Sequence, residues 1–281
     1  CELILQCDRT SDGSPVFLRC GADMSKTIFA PDAFAGKSVL ISGGTSGIGY
    51  AAAAMFLAAG ARVVLMGRDQ MRGKGAEEQL SATGRALFCA GDVRSLSDCG
   101  RVVAEAIRCC GALDVLINAA GIYHEGALDA LSAEELDALL DTNIKGTIHL
   151  SQAALPYLRQ TNGNIVNIAS DAGLHGNYFC AAYAATKGAV VALTRSLARE
   201  TACDGVRVNA VAPADILTPM TERQLAEHLP REDQLREMAS LYPLGRIGTA
   251  DEAAAAVVFL ASPAAAWVTG SIYMVDGGLT A

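Results

Sequence analysis

Three side chains between residues 170 and 187 could together move a proton. Ser170 precedes Tyr183 by thirteen positions, and Lys187 follows that tyrosine by four. On a helix, residues spaced i and i+4 share one face about one turn apart. An ammonium ~4 Å from a phenol is worth ~4 kcal/mol at an effective dielectric of ~20, enough to bring a tyrosine pKa from ~10 to ~7. The pattern predicts proton transfer without a metal, although the same spacing also arises by chance in amphipathic helices.

A glycine-rich turn lies near the start of the chain. Val39 to Ile41 is a short apolar run typical of a buried parallel strand. An alanine-rich stretch from about Ile48 to Ala59 predicts a helix, and Arg62 to Met66 predicts a second strand. The turn between strand and helix contains Gly43, Gly44, Thr45, Ser46, Gly47, Ile48 and Gly49. Glycines also mark ordinary turns, but this placement favours a dinucleotide-binding unit, in which the helix N-terminus faces a pyrophosphate.

Predicted strands and helices alternate along the rest of the chain. The strands are expected at Val39–Ser42, Val63–Met66, Ala86–Cys89, Val115–Asn118, Ile165–Ala169, Val206–Val211 and Ile272–Val275. Ser132 with Glu135 predicts a capping box at the start of a helix. Such alternation indicates a single α/β domain of the doubly wound Rossmann type, with a seven-stranded, mostly parallel sheet and helices on both faces. Ligands bind such sheets outside the carboxyl ends of the strands.

These motifs together resemble the short-chain dehydrogenase/reductase family. The glycine spacing of four and two residues, Ser170, Tyr183 and Lys187 all match its pattern. Further similar segments follow in the right order: Asp92-Val93, Asn118-Ala119-Ala120-Gly121, Asn143 in NIKG, Pro213 to Thr218, and the tail from Pro243 to Gly278. Two residues depart from the family's motifs. Ala119 replaces the second Asn of N-N-A-G, and Ala214 replaces the Gly of P-G-x-x-x-T. The resemblance covers about Phe34 to Gly278.

The resemblance implies a role for each matching residue. Tyr183 would exchange a proton with the substrate oxygen, while Lys187 would stabilise the phenolate and bind the nicotinamide ribose. Ser170 would donate to the developing oxyanion, and Asn143 would hold a water that links Lys187 to solvent. The cofactor-binding residues implied are Gly43, Thr45, Ser46, Gly47, Ile48, Gly49, Arg68, Asp92, Val93, Asn118, Ala119, Gly121, Tyr183, Lys187, Pro213, Ile216 and Thr218.

The activity implied is interconversion of a ketone and a secondary alcohol, with NADP(H) favoured over NAD(H). In NAD-preferring relatives, an acidic residue ends the second strand, whereas an arginine nearby accommodates a 2′-phosphate. Here the strand ends in Gly67 and is followed by Arg68. Against this, Asp69 lies two residues beyond, and Arg68 could merely stack on adenine. An NAD-dependent dihydrodiol or sugar dehydrogenase and a non-catalytic nucleotide-binding scaffold remain as alternatives.

Composition limits the class of partner. The 281 residues carry 22 basic and 30 acidic side chains, a net charge of −8, which disfavours nucleic acid or an anionic membrane as a partner. No apolar run reaches the ~18 residues of a membrane span. The nine cysteines contain no C-x-x-C, and the four histidines show no metal-ligand spacing. We expect a cytoplasmic enzyme with reduced thiols, no metal, no signal peptide and a small-molecule substrate.

Two segments fall outside the alternating pattern. Residues 1–33 include Asp12-Gly13, a plausible hairpin turn; either they form an appended hairpin, or residues 1–23 lie upstream of a natural start at Met24 and carry no function. Residues 217–245 are polar and broken by prolines. In the family this region covers the substrate, so we expect a lid, the alternative being a surface excursion. The resemblance also implies a homotetramer, with a dimer as the alternative.

Overall fold

A parallel sheet forms the centre of the molecule. The computed structural model describes residues 29–81 and 84–281. The strands of the main sheet are β1 (Ser38–Ser42), β2 (Arg62–Gly67), β3 (Ala86–Ala90), β4 (Val115–Asn118), β5 (Asn164–Ile168), β6 (Arg207–Pro213) and β9 (Ile272–Val275). Their spatial order is β3-β2-β1-β4-β5-β6-β9, and every pairing is parallel. The order reverses between β1 and β4, where such sheets form a ligand-binding crevice.

Helices cover both faces of this sheet. In chain order they are α1 (Gly47–Ala58), α2 (Gln70–Leu80), α3 (Leu96–Cys110), α4 (Ala133–Leu139), α5 (Gly146–Thr161), α6 (Ala172–His175), α7 (Ala181–Thr201), α8 (Pro219–Glu222), α9 (Arg231–Ser240) and α10 (Ala250–Ala261). Two short strands, β7 (Ile216–Leu217) and β8 (Gly248–Thr249), form a separate parallel pair. None of the helices in the described ranges is long and apolar enough to cross a bilayer.

The central strand β1 shows why both faces are apolar. Val39 and Ile41 pack on the side of α1 and α10, whereas Leu40 packs on the side of α3 and α5. Successive strand side chains point to opposite faces, so a strand covered by helices on both sides must be apolar throughout. Alanines such as Ala52 and Ala254 are fully buried, and their small side chains let α1 and α10 pack closely against each other.

A chain of buried polar side chains connects the sheet to α5 and α7. The Asn118 amide donates to Ser151 Oγ at 2.9 Å and to Asn167 Oδ1 at 2.8 Å, and the Asn167 amide donates to Thr194 Oγ1 at 2.9 Å. All four residues are buried. Because an unsatisfied buried polar group costs ~1–3 kcal/mol, these bonds fix the position of both helices relative to β4 and β5.

The predicted fold class is confirmed. All seven predicted strands are present, with ends within two residues of those expected, and the capping box at Ser132 and Glu135 is confirmed. The short pair β7 and β8 was not predicted, because two residues are too few for a periodic pattern. The hairpin predicted around Asp12-Gly13, and the start at Met24, lie outside the described residues. The six cysteines within the described ranges are free thiols.

Candidate active site

A cleft of about 370 Å³ opens at the carboxyl ends of the strands. The segments that follow six strands, β1 to β6, contribute to its lining. Almost all the residues predicted for the site meet there: Gly43, Thr45, Ser46, Gly47, Ile48, Gly49, Arg68, Asp92, Val93, Ala119, Gly121, Ser170, Tyr183, Lys187, Pro213, Ile216 and Thr218. Two predicted residues, Asn118 and Asn143, are buried behind the lining.

The glycine turn has no room for a side chain at Gly43 or at Gly49. Gly43 has a φ of +67°, and a Cβ there would lie 2.8 Å from the backbone of Ala119 and Ala120. A Cβ on Gly49 would lie 2.5 Å from the Gly43 carbonyl oxygen. Ser46 precedes α1 without capping it through its side chain, and the first turn of α1 holds no acidic residue. Free N–H groups of α1 therefore face the cleft, and they suit the pyrophosphate of a dinucleotide.

The three residues first singled out from the sequence lie together at the other end of the cleft. Tyr183 and Lys187 are both on α7, and Ser170 follows β5. The Lys187 ammonium donates to the Ile168 carbonyl at 2.8 Å and lies 5.7 Å from the centre of the Tyr183 ring. Ser170 Oγ donates to Asp171 Oδ1 at 2.9 Å. The cluster thus combines a phenol, an ammonium and a hydroxyl beside a buried carboxyl group.

Burial dominates the acid–base properties of this cluster. It raises the pKa of the Tyr183 phenol above its ordinary value, although hydrogen bonding between Tyr183 and Ser170 acts in the opposite direction. Burial also lowers the pKa of Lys187 to about 8. The spacing predicts an ammonium beside the phenol and a phenol pKa of ~7. The structure differs from this prediction, because the Lys187 ammonium is bound to the Ile168 carbonyl. At pH 7 the phenol is protonated and Lys187 is mostly charged.

Asn143 lies in a break in regular helix geometry. It belongs to a π-helical turn, Leu140–Lys145, between α4 and α5. Its side chain accepts from Ile122 N at 2.9 Å and donates to Thr186 Oγ1 at 3.0 Å. π-helical turns are rare and often occur at functional sites. A Cβ on Gly121 would lie 3.4 Å from Asn143 Oδ1 and 3.6 Å from Lys187 Nζ, so this glycine keeps the space between them open.

Asn118 is located differently from the other predicted cofactor residues. Its amide belongs to the buried polar chain with Ser151 and Asn167, and its Oδ1 has no partner among the described residues. The side chain therefore supports β4 and β5 from beneath the cleft and does not line it.

The end of the cleft near the glycine turn contains several charged side chains. Arg68 is 56% exposed and lies 4.0 Å from the carboxylate of Asp92. Asp92 is bonded twice by the guanidinium of Arg94, at 2.9 and 2.6 Å. Asp69 accepts from Arg72 N at 2.9 Å and caps α2. Both carboxylates near Arg68 thus have other hydrogen-bond donors.

Sequence reasoning missed three residues at the substrate end. Tyr123 stacks edge-on against Tyr183, with ring centres 4.8 Å apart. Asp171 and Asp215 line the cleft. Asp171 directly follows Ser170, and Asp215 lies in the segment from Pro213 to Thr218. Both residues therefore belong to segments already singled out from the sequence. What could not be read from the sequence is that their side chains share one cavity.

Part of the predicted lid borders the cleft. Met220, Thr221, Arg223 and Gln224, in and just after α8, contribute to its lining. In the loop between Ser170 and Tyr183, Cys180 lines the cleft and is almost fully buried, whereas His175 and Tyr178 do not line it. Among residues 29–81 and 84–281, no group of three His, Cys, Asp or Glu side chains could hold a metal ion.

Comparisons with known proteins agree with this architecture. The family described as enoyl-(acyl carrier protein) reductase matches residues 43–280. L-fucose dehydrogenase of Bos taurus is 40% identical over 247 residues, which is 87% of this chain and 90% of that protein. A short-chain glucose/ribitol dehydrogenase from Brucella melitensis has a TM-score of 0.83 at 35% identity, covering 90% of this chain and 100% of that one. A 3-ketoacyl-(acyl-carrier-protein) reductase from the same organism, complexed with NADH, has a TM-score of 0.81 at 30% identity, covering 88% and 100%.

The chain therefore belongs to the short-chain dehydrogenase/reductase family. It is an NAD(P)-dependent oxidoreductase with a Rossmann-type fold.

The burial of Lys187 predicts a pH-dependent cost in stability. Unfolding returns its pKa from about 8 to 10.5, so the unfolded state binds more protons between these pH values and stability rises with pH across this window. Lys187→Met removes the charge and should stabilise the fold by about 1–2 kcal/mol at pH 7, after loss of the bond to Ile168. Denaturant unfolding at pH 7 and pH 10 measures this difference.

The exposed variant Lys74→Met serves as a control, because Lys74 forms only a surface ion pair and should change stability by less than ~1 kcal/mol. The advantage of Lys187→Met should be full below pH ~8, shrink by ~1.4 kcal/mol per pH unit above that, and be lost by pH ~9.5. Equal stability of Lys187→Met and the unaltered chain at pH 7 would contradict the predicted cost.

Proposed function

We propose that this protein is an NADP(H)-dependent oxidoreductase that interconverts a ketone and a secondary alcohol, with Tyr183 as proton donor and acceptor. The observation that carries this proposal is that Tyr183, Ser170 and Lys187 line one end of a cleft whose other end is a glycine turn at a helix N-terminus. A neutral phenol is the form that can give a proton to a carbonyl oxygen.

Each side chain of the cluster has a distinct role in this mechanism. The bound nicotinamide supplies or accepts a hydride. Tyr183 gives its proton to the substrate oxygen in reduction and takes one back in oxidation. The charged Lys187 stabilises the resulting phenolate, and its position suits the ribose hydroxyls as well. Ser170 presents a hydroxyl to the same substrate oxygen, where charge develops. Asn143, through the π-helical turn, would hold a water that returns protons to Lys187.

Replacing the proton donor tests the mechanism. Tyr183→Phe keeps the ring and its contact with Tyr123 but removes the hydroxyl, so turnover should fall by at least ~100-fold while cofactor binding stays nearly unchanged. Absorbance at 340 nm during a screen of carbonyl and alcohol substrates, with both cofactors, measures turnover. Tyr178→Phe is the matched control, because Tyr178 is 88% exposed. Near-normal turnover by the Tyr183→Phe variant would contradict the proposed mechanism.

The preference for NADP(H) is supported by the end of β2. Gly67 places no carboxylate there, and Arg68 offers a planar fork of donors to a 2′-phosphate. The carboxylate of Asp69 caps α2, and that of Asp92 is held by Arg94. Neither therefore depends on Arg68 as a partner. NAD(H) is the alternative cofactor, because the related reductase from Brucella melitensis is complexed with NADH.

Arg68→Ala should weaken the binding of NADPH much more than the binding of NADH. Loss of a charge-assisted hydrogen bond costs ~1.5–3 kcal/mol, so the Michaelis constant for NADPH should rise about 10- to 100-fold, and that for NADH far less. Arg108→Ala, which removes an exposed arginine of α3, is the control. Gly67→Asp should shift preference toward NADH, although its Cβ would lie 3.1 Å from Thr45 Cγ2 and require a small displacement. Tighter binding of NADH than NADPH by the unaltered protein would refute the assignment.

A sugar or dihydrodiol dehydrogenase is the second candidate. Two of the related proteins are named for sugar or polyol substrates, L-fucose dehydrogenase and glucose/ribitol dehydrogenase. A non-catalytic scaffold is disfavoured, because Tyr183 and Lys187 are both present and both line the cleft. A small-molecule substrate and a cytoplasmic location remain predictions, as does closure of residues 217–245 over the substrate.

We also propose a homotetramer, with a dimer as the alternative. Apolar side chains are exposed on two separate surfaces, Leu136 and Ile148 on α4 and α5, and Trp267 and Tyr273 near the C-terminus. Light scattering should give four times the 29.1-kDa mass of the chain at micromolar concentration. Trp267→Ala should lower that mass to a dimer, because Trp267 is fully exposed in the single chain. A monomer in the unaltered protein would rule out both states.

A further inference from the structure

Asp171 is a buried carboxyl group that no cation neutralises. It is 9% exposed and lines the cleft directly beside the catalytic cluster. Its hydrogen-bond donors are neutral, the Ser170 hydroxyl and the backbone of Ala172. No lysine, arginine or histidine of the described ranges forms an ion pair with it. Burial raises its pKa, and the neighbouring carboxylates of Asp215 and Asp276 act in the same direction. An ionised buried carboxylate without a partner is costly, so donors from a ligand would relieve that cost.

Asp215 is directed to the same end of the cleft. The Tyr242 hydroxyl donates to Asp215 Oδ2 at 2.7 Å and accepts from Asp215 N at 3.1 Å. The charge of Asp215 raises the pKa of both Asp171 and Tyr183, as expected for neighbours in one cavity. Asp276 differs, because its carboxylate accepts from the backbone of its own turn, at Gly278 and Thr280. Of these three carboxylates, Asp171 and Asp215 line the cleft, whereas Asp276 does not.

Carboxylates accept hydrogen bonds and donate none when ionised. Their partner in the substrate must therefore carry either hydroxyl groups or an ammonium. An ammonium would lie in the same small space as the charged Lys187, and like charges repel strongly at low dielectric. Neutral hydroxyl groups meet no such repulsion. The names of the related L-fucose and glucose/ribitol dehydrogenases favour the same choice.

We propose that Asp171 and Asp215 determine substrate specificity by accepting hydrogen bonds from hydroxyl groups that neighbour the reacting carbon. The substrate is accordingly a sugar or sugar alcohol, and this inference rests on the proposed function. In oxidation, the reacting carbon loses a hydride to the oxidised nicotinamide cofactor, and its hydroxyl proton passes to Tyr183. The product is the corresponding carbonyl compound, and the neighbouring hydroxyls are unchanged. Ser170 has a single hydroxyl hydrogen, so donating it to the substrate oxygen releases the Asp171 carboxylate to accept a hydrogen bond from the substrate instead.

Four probe substrates test this inference with the intact chain: ribitol, L-fucose, cyclohexanol and 1-amino-2-propanol, each with saturating NADP⁺ or NAD⁺. The variants are Asp171→Asn and Asp215→Asn, which keep shape and one acceptor but remove the charge. Asp129→Asn, at an exposed site outside the cleft, is the matched control. Melting temperature and calorimetric binding of cofactor establish that each variant is folded.

A polyol should have a kcat/KM at least ~10-fold above that of cyclohexanol. Each cleft variant should lower kcat/KM for the polyol at least ~10-fold more than it lowers kcat/KM for cyclohexanol. Equal losses for both substrates, or a preference for cyclohexanol, would overturn the inference, and a preference for 1-amino-2-propanol would overturn it in favour of an ammonium. If a folded protein that binds cofactor oxidises cyclohexanol but neither polyol, the inference fails while the proposed function stands. If it oxidises none of the four and reduces no ketone, both fail.

Discussion

The bond from the Lys187 ammonium to the Ile168 carbonyl holds the catalytic end of the cleft together. A fully buried cation must have a partner, because isolation from water is costly. Its bond to Ile168 ties α7 to the end of β5, two residues before Ser170. Tyr183 lies one turn earlier on the same helix face. The contact that satisfies the charge therefore also fixes the distance between phenol and hydroxyl.

Beneath this contact, neutral polar side chains provide the same kind of constraint. Asn167 on β5 bonds to Thr194 on α7 and to Asn118 on β4. In an otherwise apolar interior, such directional bonds are satisfied in few arrangements. They hold α7 in register with the sheet, whereas the apolar contacts of Val190 and Val191 would tolerate a shift. Stability and catalytic geometry thus depend on the same helix.

The buried ionisable groups proposed for catalysis reduce the stability of the fold. Lys187 is charged where burial opposes charge, and Asp171 is a carboxyl group with no cation beside it. In the proposed mechanism both groups would lie next to the reacting atoms, where a charge is most effective because water is excluded. The opposite end of the cleft is built differently. There the backbone of the glycine turn and the first turn of α1 offer N–H groups, and the exposed Arg68 adds a charge that water can solvate. In the proposed function the cleft would therefore bind phosphate with exposed groups and carry out the reaction with buried ones.

The fold class, the seven strands and the glycine turn could be predicted from the sequence, because they depend on local periodicity and on spacing along one chain. The grouping of Ser170, Tyr183 and Lys187 was implied by the resemblance to the family. The partner of each polar group is visible only in the tertiary structure. Lys187 bonds to Ile168 instead of lying against the phenol, Asn118 points beneath the cleft, and Asp171 and Asp215, forty-four residues apart, line one cavity. These contacts join strands and helices that are distant in sequence, and they depend on how α7 and the loops after β5 and β6 pack. No local pattern encodes that packing.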